Sequence, residues 1–394
     1  MTLEATIKQL AASISPQLIE IRRYLHANPE LSYQEFKTQA FVAEKLTAWG
    51  IPFTKAGNTG LVALIKGNQP ESRVMALRAD MDALPIEEVN EVPYRSTVSG
   101  VMHACGHDAH TACLLGAAHI LLQTRHLWNG TIKLLFQPGE ERNPGGATYM
   151  IKDGALENPK PQGIIALHVH PSLPVGKLSF RSGTVMASAD EIYITIKGKG
   201  GHAAAPHLTT DTILVASHLV VSLQQIISRN NNTLNPSVLS ITSFQGGHTT
   251  NVIPAEVKLM GTLRCLNEQW RAEAHGLISR HVAHICEAMG ALFELHIDKG
   301  YPTVYNNPEL TQNAWKLAES YMGSNMVEET EMRMGAEDFG YYAQEIPGCF
   351  YRLGVRNEAK GITSSVHTPT FDIDEDALAI GAGTMAWLGA QAGI

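Results

Sequence analysis

Residues 132–141 read Ile132-Lys133-Leu134-Leu135-Phe136-Gln137-Pro138-Gly139-Glu140-Glu141. A nearly unbroken apolar run stops at Gln137-Pro138, and two adjacent carboxylates follow across a glycine. A short apolar run bounded by turn residues predicts a strand covered on both faces. The pattern occurs twice more. Val74-Met75-Ala76-Leu77 leads into Arg78-Ala79-Asp80-Met81-Asp82, and the run that begins at Ile164 closes on His168 and His170. A helical stretch from about His110 to Gln123 precedes Ile132. Strands alternating with helices predict an α/β fold with a mostly parallel central sheet. Ligands of such sheets bind beyond the carboxyl ends of the strands, so the three polar clusters are expected to converge.

Toward the N-terminus the chain reads as helices. Ser15-Pro16 offers a cap and a proline for the first turn, and Ser32-Tyr33-Gln34-Glu35 has the form of a capping box for a helix running toward Gly50. The texture changes near Ala187. Glu191-Ile192-Tyr193-Ile194-Thr195-Ile196-Lys197 alternates polar and apolar, as a half-exposed antiparallel strand does. A helix (about Asp211 to Ser228), two strands (Ser237 to Thr242, Val257 to Arg264), a helix (Gln269 to Met289) and a strand (Ala291 to His296) complete a smaller α+β, ferredoxin-like block. The expected organisation is a large domain over 1–186 and 302–394, with a satellite domain inserted over 187–301. The large domain resumes with a strand at Cys349 to Leu353 and ends on an apolar helix, Glu375 to Ala392.

Composition bounds what such a chain does. Its 394 residues suit two to three domains at ~150 residues each. A net charge of -8 lacks the basic footprint of a nucleic-acid binder. No apolar run reaches the ~18 residues of a membrane span, and Met1 to Lys8 lacks the pattern of a secretory signal. Five scattered cysteines (Cys105, Cys113, Cys265, Cys286, Cys349) argue for reduced thiols and a cytoplasmic location. The 17 histidines are roughly twice average usage, and His is the side chain of titration, catalysis and metal ligation.

The densest cluster of these side chains is His103-Ala104-Cys105-Gly106-His107-Asp108-Ala109-His110. Thiolate, imidazole and carboxylate form the ligand set of Zn²⁺ and related ions. Glu140 and Glu141 diverge as adjacent side chains must, so one can hold metal while the other acts as general base. The residues alone leave open which does which. His367, in Ser364-Ser365-Val366-His367-Thr368-Pro369, is a weaker candidate, and Gly200-Gly201-His202 and Asn251-Val252-Ile253-Pro254 read as turns.

Taken in order, these segments resemble the aminoacylase-type family of dinuclear metallo-amidohydrolases, which includes hippurate hydrolases, N-acyl-amino-acid deacylases and auxin-conjugate hydrolases. The likeness runs through His26 to Ser32, Arg78 to Pro85, His103 to Thr111, Gln137 to Glu141, Ala166 to Val169, Gly200 to His207, Asn251 to Pro254 and Gly335 to Phe339. It implies Cys105, His107, Glu141, His168 and His367 as metal ligands, with Cys105 bridging, and Glu140 as general base. Asp82 would stand behind a ligand, and Asp80 occupies a place where related branches carry a ligating His. His202 would polarise the scissile carbonyl, in relatives often from the partner subunit, and Asn251 and Arg264 would hold the substrate carboxylate. Ala336 departs from the Ser common in relatives.

The implied reaction is hydrolysis of an N-acyl-L-amino acid by a homo-oligomer, dimer or tetramer, carrying two divalent ions (Zn, Mn, Co or Ni). A dipeptidase or carboxypeptidase would differ in what fills the acyl pocket. A silent metal or amino-acid binder would have no use for a base beside Glu141.

Overall fold

The computed structural model of the chain describes residues 1–393. It divides into two compact units, Met1–Gly183 with Tyr305–Glu331 and Asp338–Ile394, and Thr184–Val304 with Met332–Glu337.

The first unit is built on an eight-stranded mixed sheet. Its strands stand in the order Phe53–Ala56, Gly60–Lys66, Thr131–Gln137, Val74–Asp80, Gly163–Pro174, Gly348–Arg356, Leu178–Phe180, Val327–Glu329. The centre is parallel: Val74–Asp80 lies between Thr131–Gln137 and Gly163–Pro174, and Gly348–Arg356 pairs parallel to Gly163–Pro174. Antiparallel pairs flank that centre. Val74–Asp80 and Thr131–Gln137 are buried along their whole length, which is why both read as continuous rather than alternating apolar runs. The helix His107–Gln123 is apolar on nearly every side and buried to match, packed against the C-terminal helix Asp376–Gln391. Among the described residues no helix is long and apolar enough to cross a membrane.

The register of the central strands sets the site. Asp80 pairs with Gln137, so the acids after one strand and the Glu140-Glu141 turn after the next emerge at the same edge. His168 lies on the neighbouring strand.

The second unit has a four-stranded antiparallel sheet in the order Ser237–Gln245, Glu256–Cys265, Asp190–Lys197, Leu292–Lys299. Helices Thr212–Gln225 and Glu268–Ala288 pack on it. This β-α-β-β-α-β succession is the ferredoxin-like arrangement. It has its own core, with Ile192, Ile194, Ile196, Leu219, Leu259 and Ile278 at its centre. Asn267 caps the second helix by accepting from Trp270 N, and Asp211 caps the first from Leu214 N. Met332–Glu337 joins this unit through hydrogen bonds from Ala187 N to the carbonyls of Arg333 and Gly335.

One local expectation is corrected. Ser32 and Glu35 do not form a capping box: the helix they precede is Phe36–Ala48, and Glu30 serves its first turn by accepting from Lys37 N and Thr38 N at 2.9 Å. The side chains of Ser32 and Glu35 reach residues far along the chain instead.

Candidate metal centre

The cluster at residues 103–110 straddles a sharp change of direction. Gly106 takes φ +86°, and a Cβ there would lie 2.4 Å from Val169 Cγ2, so only glycine lets the chain turn beside that strand. The helix begins at once with His107. Cys105 therefore stays on the loop, while His107 and His110 face the same way from the first turn.

Cys105, His107 and His168 offer ligand atoms that all lie within 4.8 Å of one another, as do Cys105, Glu141 and His367. The two groups share Cys105. Its Sγ is 3.5 Å from His168 Nε2 and 3.3 Å from His367 Nε2. Glu141 Oε1 stands 3.3 Å from His367 Nε2 and 3.8 Å from His107 Nε2, and Glu140 Oε2 is 4.0 Å from His107 Nε2. His367 adopts φ +61°, an uncommon conformation for a non-glycine residue, with its N–H donating to Ala104 O.

The partners behind the ligands fix their tautomers. His107 Nδ1 faces Asp82 Oδ1 at 3.1 Å and His168 Nδ1 donates to Val169 O at 2.7 Å, leaving both Nε2 atoms as bare acceptors. His107 Nε2 and Glu141 Oε1 are buried and have no hydrogen-bond partner despite their close neighbours. Imidazoles, a thiol and carboxylates gathered this closely form a set that a cation would satisfy.

The electrostatics agree. Burial disfavours charge on His107, yet Asp80 and Cys105 outweigh it and hold the imidazole well above its usual pKa. Cys105 and then Glu141, close against the ring, push His367 up to about 10. Burial, and then Glu141, push the Cys105 thiol up, so a thiolate there needs a compensating cation. The donor set, with Cys105 common to both groups, would suit divalent ions.

Asp80, His110, Arg78, Gln137 and Asp338 form a buried network beside this set. Asp80 accepts from Arg78 Nη1 at 2.6 Å and pairs with His110 Nδ1 at 2.5 Å, so both its oxygens are engaged. Burial would raise this carboxyl, but Arg78, His107 and His110 hold it well below the usual range. His110 Nε2 accepts from Val169 N at 2.9 Å, which removes it from ligation and ties it to the strand of His168. Arg78 also donates to Gln137 and Asp338, each at 2.8 Å. Sequence reasoning assigned Gln137 and Asp338 no role, although both lie in the motifs quoted above. His26, likewise within a quoted motif, is buried against Asp108 (2.7 Å) and Glu88 (3.2 Å), bracing the start of the ligand helix.

In the second unit, His202 and Asn251 meet on a two-stranded ribbon in which His202 pairs with Val252 and Ala203 N donates to Asn251 O. His202 is exposed; its Nδ1 accepts from Ala204 N at 3.0 Å, which leaves the proton on Nε2. Arg264 lies elsewhere, on the strand Glu256–Cys265, where it lines an open hollow with Glu191, Tyr193 and Met260 and bonds Thr262 Oγ1 at 3.2 Å.

Residues 76–388 match the model of peptidase family M20/M25/M40. The chain is 44% identical over 304 residues to an N-acyl-L-amino acid amidohydrolase of Geobacillus stearothermophilus, covering 77% of this chain and 81% of that one. It is 41% identical over 386 residues to thermostable carboxypeptidase 2 of Saccharolobus solfataricus, covering 97% of each. Among solved structures, the Bacillus subtilis YXEP protein, described as a dinuclear metal-binding peptidase of the M20 family, superposes with a TM-score of 0.83 at 34% identity, over 96% of this chain and 98% of that one.

Proposed function

The chain belongs to peptidase family M20/M25/M40 and hydrolyses amide bonds, and on that footing we propose that it cleaves N-acyl-L-amino acids to a carboxylic acid and a free amino acid. The observation that carries this reading is the pair of ligand groups sharing Cys105, with Glu140 as an additional carboxylate at their edge. A protein that only bound metal would have no use for Glu140.

Cys105, His107, Glu141, His168 and His367 would hold two divalent cations, with Zn²⁺, Mn²⁺, Co²⁺ and Ni²⁺ all compatible with the donor set. When bound, such ions acidify water and polarise a carbonyl. Glu140 takes a proton from the attacking water as it adds to the amide carbon, and returns a proton to the departing amine nitrogen. His202, whose Nδ1 is taken up by Ala204 N, would supply its Nε2–H to the carbonyl oxygen as charge develops there; a donor of this kind is worth ~10²–10³ in rate. Asn251 and Arg264 would hold the free carboxylate of the amino acid.

The carboxypeptidase likeness supports a second reading in which a peptide supplies the acyl group. One experiment separates the readings: metal analysis of the purified protein, then a panel of N-acetyl, N-benzoyl and indole-acetyl amino acids beside blocked dipeptides, with EDTA as control. The expected result is EDTA-sensitive release of amino acid from the N-acyl members. Cleavage of dipeptides alone would favour the peptidase, and cleavage of nothing with any metal would leave a binding protein.

A further inference from the structure

The turn that carries Glu140 and Glu141 is gripped from one short segment near the N-terminus. Glu35 is completely buried, and its Oε1 accepts from Gly139 N at 2.8 Å and from Tyr33 N at 2.9 Å, while Oε2 accepts from Thr59 Oγ1 at 2.5 Å. Tyr33 Oη donates to Arg142 O at 2.5 Å and accepts from Gly145 N at 3.1 Å. Ser32 Oγ donates to Asp82 Oδ2 at 2.6 Å, and that oxygen also accepts from Glu141 N at 3.0 Å. The turn is thus held before, at and after the two carboxylates.

Steric fit adds to the hydrogen bonds. The Tyr33 ring lies so close over Gly139 that a Cβ there would meet its Cε1 at 2.2 Å, and Gly139 itself takes φ +58°. Tyr33 is at φ +66°, a conformation that costs a residue of its kind energy and persists only where surroundings impose it. A strained tyrosine, a buried carboxylate and a serine, four residues from end to end, converge on one distant turn, the serine through Asp82. None of the three belongs to the candidate ligand groups.

We propose that Ser32, Tyr33 and Glu35 are positioning residues that clasp the 139–145 turn and so set where the Glu140 carboxylate stands. The clasp rests on the reading of Glu140 as general base for its effect on rate, but its effect on the turn is independent of that reading. A base displaced by about 1 Å loses ~10²-fold in rate while substrate binding, made elsewhere, is little changed.

The test uses the metal-loaded full-length protein. Glu35→Ala removes the acceptor for Gly139 N and is expected to lower kcat about 10²-fold, with KM within about threefold and metal content unchanged. Glu35→Gln is the conservative variant. Its carbonyl oxygen can still accept from Gly139 N and Tyr33 N, its amide can donate to the Thr59 hydroxyl, and kcat is expected within about threefold of the parent. Tyr33→Phe, which keeps the packed ring and loses only the hydroxyl, covers the case in which Glu35→Ala does not fold; it is expected to lose about tenfold in kcat. Amide hydrogen exchange supplies a readout that needs no turnover: in Glu35→Ala and Tyr33→Phe, residues 139–145 should exchange faster while strand 131–137 does not. Wild-type kcat in both variants, Glu35→Gln as impaired as Glu35→Ala, or unaltered exchange of the turn would each overturn the clasp. If the parent cleaves no N-acyl amino acid, the functional reading falls, and the exchange measurement still decides the clasp.

Discussion

Glu140 and Glu141 are neighbours in the chain with unlike surroundings. Glu141 points at His367 and His107 and its amide is anchored on Asp82, as suits a ligand. Glu140 Oε2 lies 4.0 Å from His107 Nε2 and shares a group with His107 and Glu141 but not with His367, a place from which a base could reach water held there. Glu140→Gln keeps the shape and removes the proton acceptor. It should bind metal in the same stoichiometry and lose about 10²–10⁴ in kcat, read by metal analysis beside turnover. Full activity in that variant would remove Glu140 from the chemistry. The division of labour between the two was not legible in the sequence, because it depends on which way each side chain leaves a turn whose course is set by residues 32–35. Asp80 illustrates the same limit: as a residue type it is a good ligand, and only Arg78 and His110, which engage both its oxygens, show that it is spoken for. The converse holds for Cys105 and His107, where thiolate and imidazole two residues apart already pointed to metal.

At the scale of the element, the decisive feature is how the ligand helix starts. Apolar runs ending in acids or histidines made the strands and their polar ends readable, since burial on both faces leaves a continuous signature. Apolar periodicity places the helix from about His110, whereas it begins at His107, directly after the left-handed Gly106. A left-handed glycine followed by a polar first turn carries no apolar periodicity, so pattern reading starts the helix late. The Ser32–Glu35 stretch fails for a related reason: its spacing fits a local cap, while its side chains reach partners 24 to 112 residues away. Gly106→Ala tests the helix start. The new Cβ would press on Val169 Cγ2 and the left-handed conformation would be strained, costing about 1–3 kcal/mol and displacing His107. Chemical denaturation should show the loss, and metal content should fall with it. Val169→Ala in the same chain opens that space, so the double variant should recover part of both; strict additivity would mean that the contact is irrelevant.

At the scale of the whole molecule the two units have separate cores and separate buried charges, so the chain's response to pH is a sum of local ones. In the first unit, buried charges such as Asp80 and Asp82 lie among the candidate metal ligands, where a bound ion would alter their titration. In the second unit the carboxylate of Asp190 offers a response free of metal. Asp190 is fully buried and accepts from Arg271 Nη2 at 2.5 Å, Arg271 Nε at 2.9 Å and His275 Nε2 at 2.7 Å, with Gly300 N at 3.2 Å. These groups tie the strand Asp190–Lys197 to the helix Glu268–Ala288. Burial by itself would raise the carboxyl, but the bonds from His275 and Arg271 outweigh it and hold the group below its usual range. A carboxyl depressed in the folded state contributes stability that is complete above the unfolded value of about 3.9 and is lost as pH falls through the folded value. Asp190→Asn removes the charge and leaves Arg271 with Glu268 as its nearest carboxylate, at 3.1 Å. Breaking a buried pair from one side costs about 3–5 kcal/mol, so the variant should be destabilised by that order at pH 7. Hydrogen exchange of the helix Glu268–Ala288, followed from pH 7 down to 3, should show the gap between variant and parent hold steady to about pH 4 and then narrow. A gap that stays constant into acid would mean that Asp190 acts there through shape and hydrogen-bond count rather than through its charge.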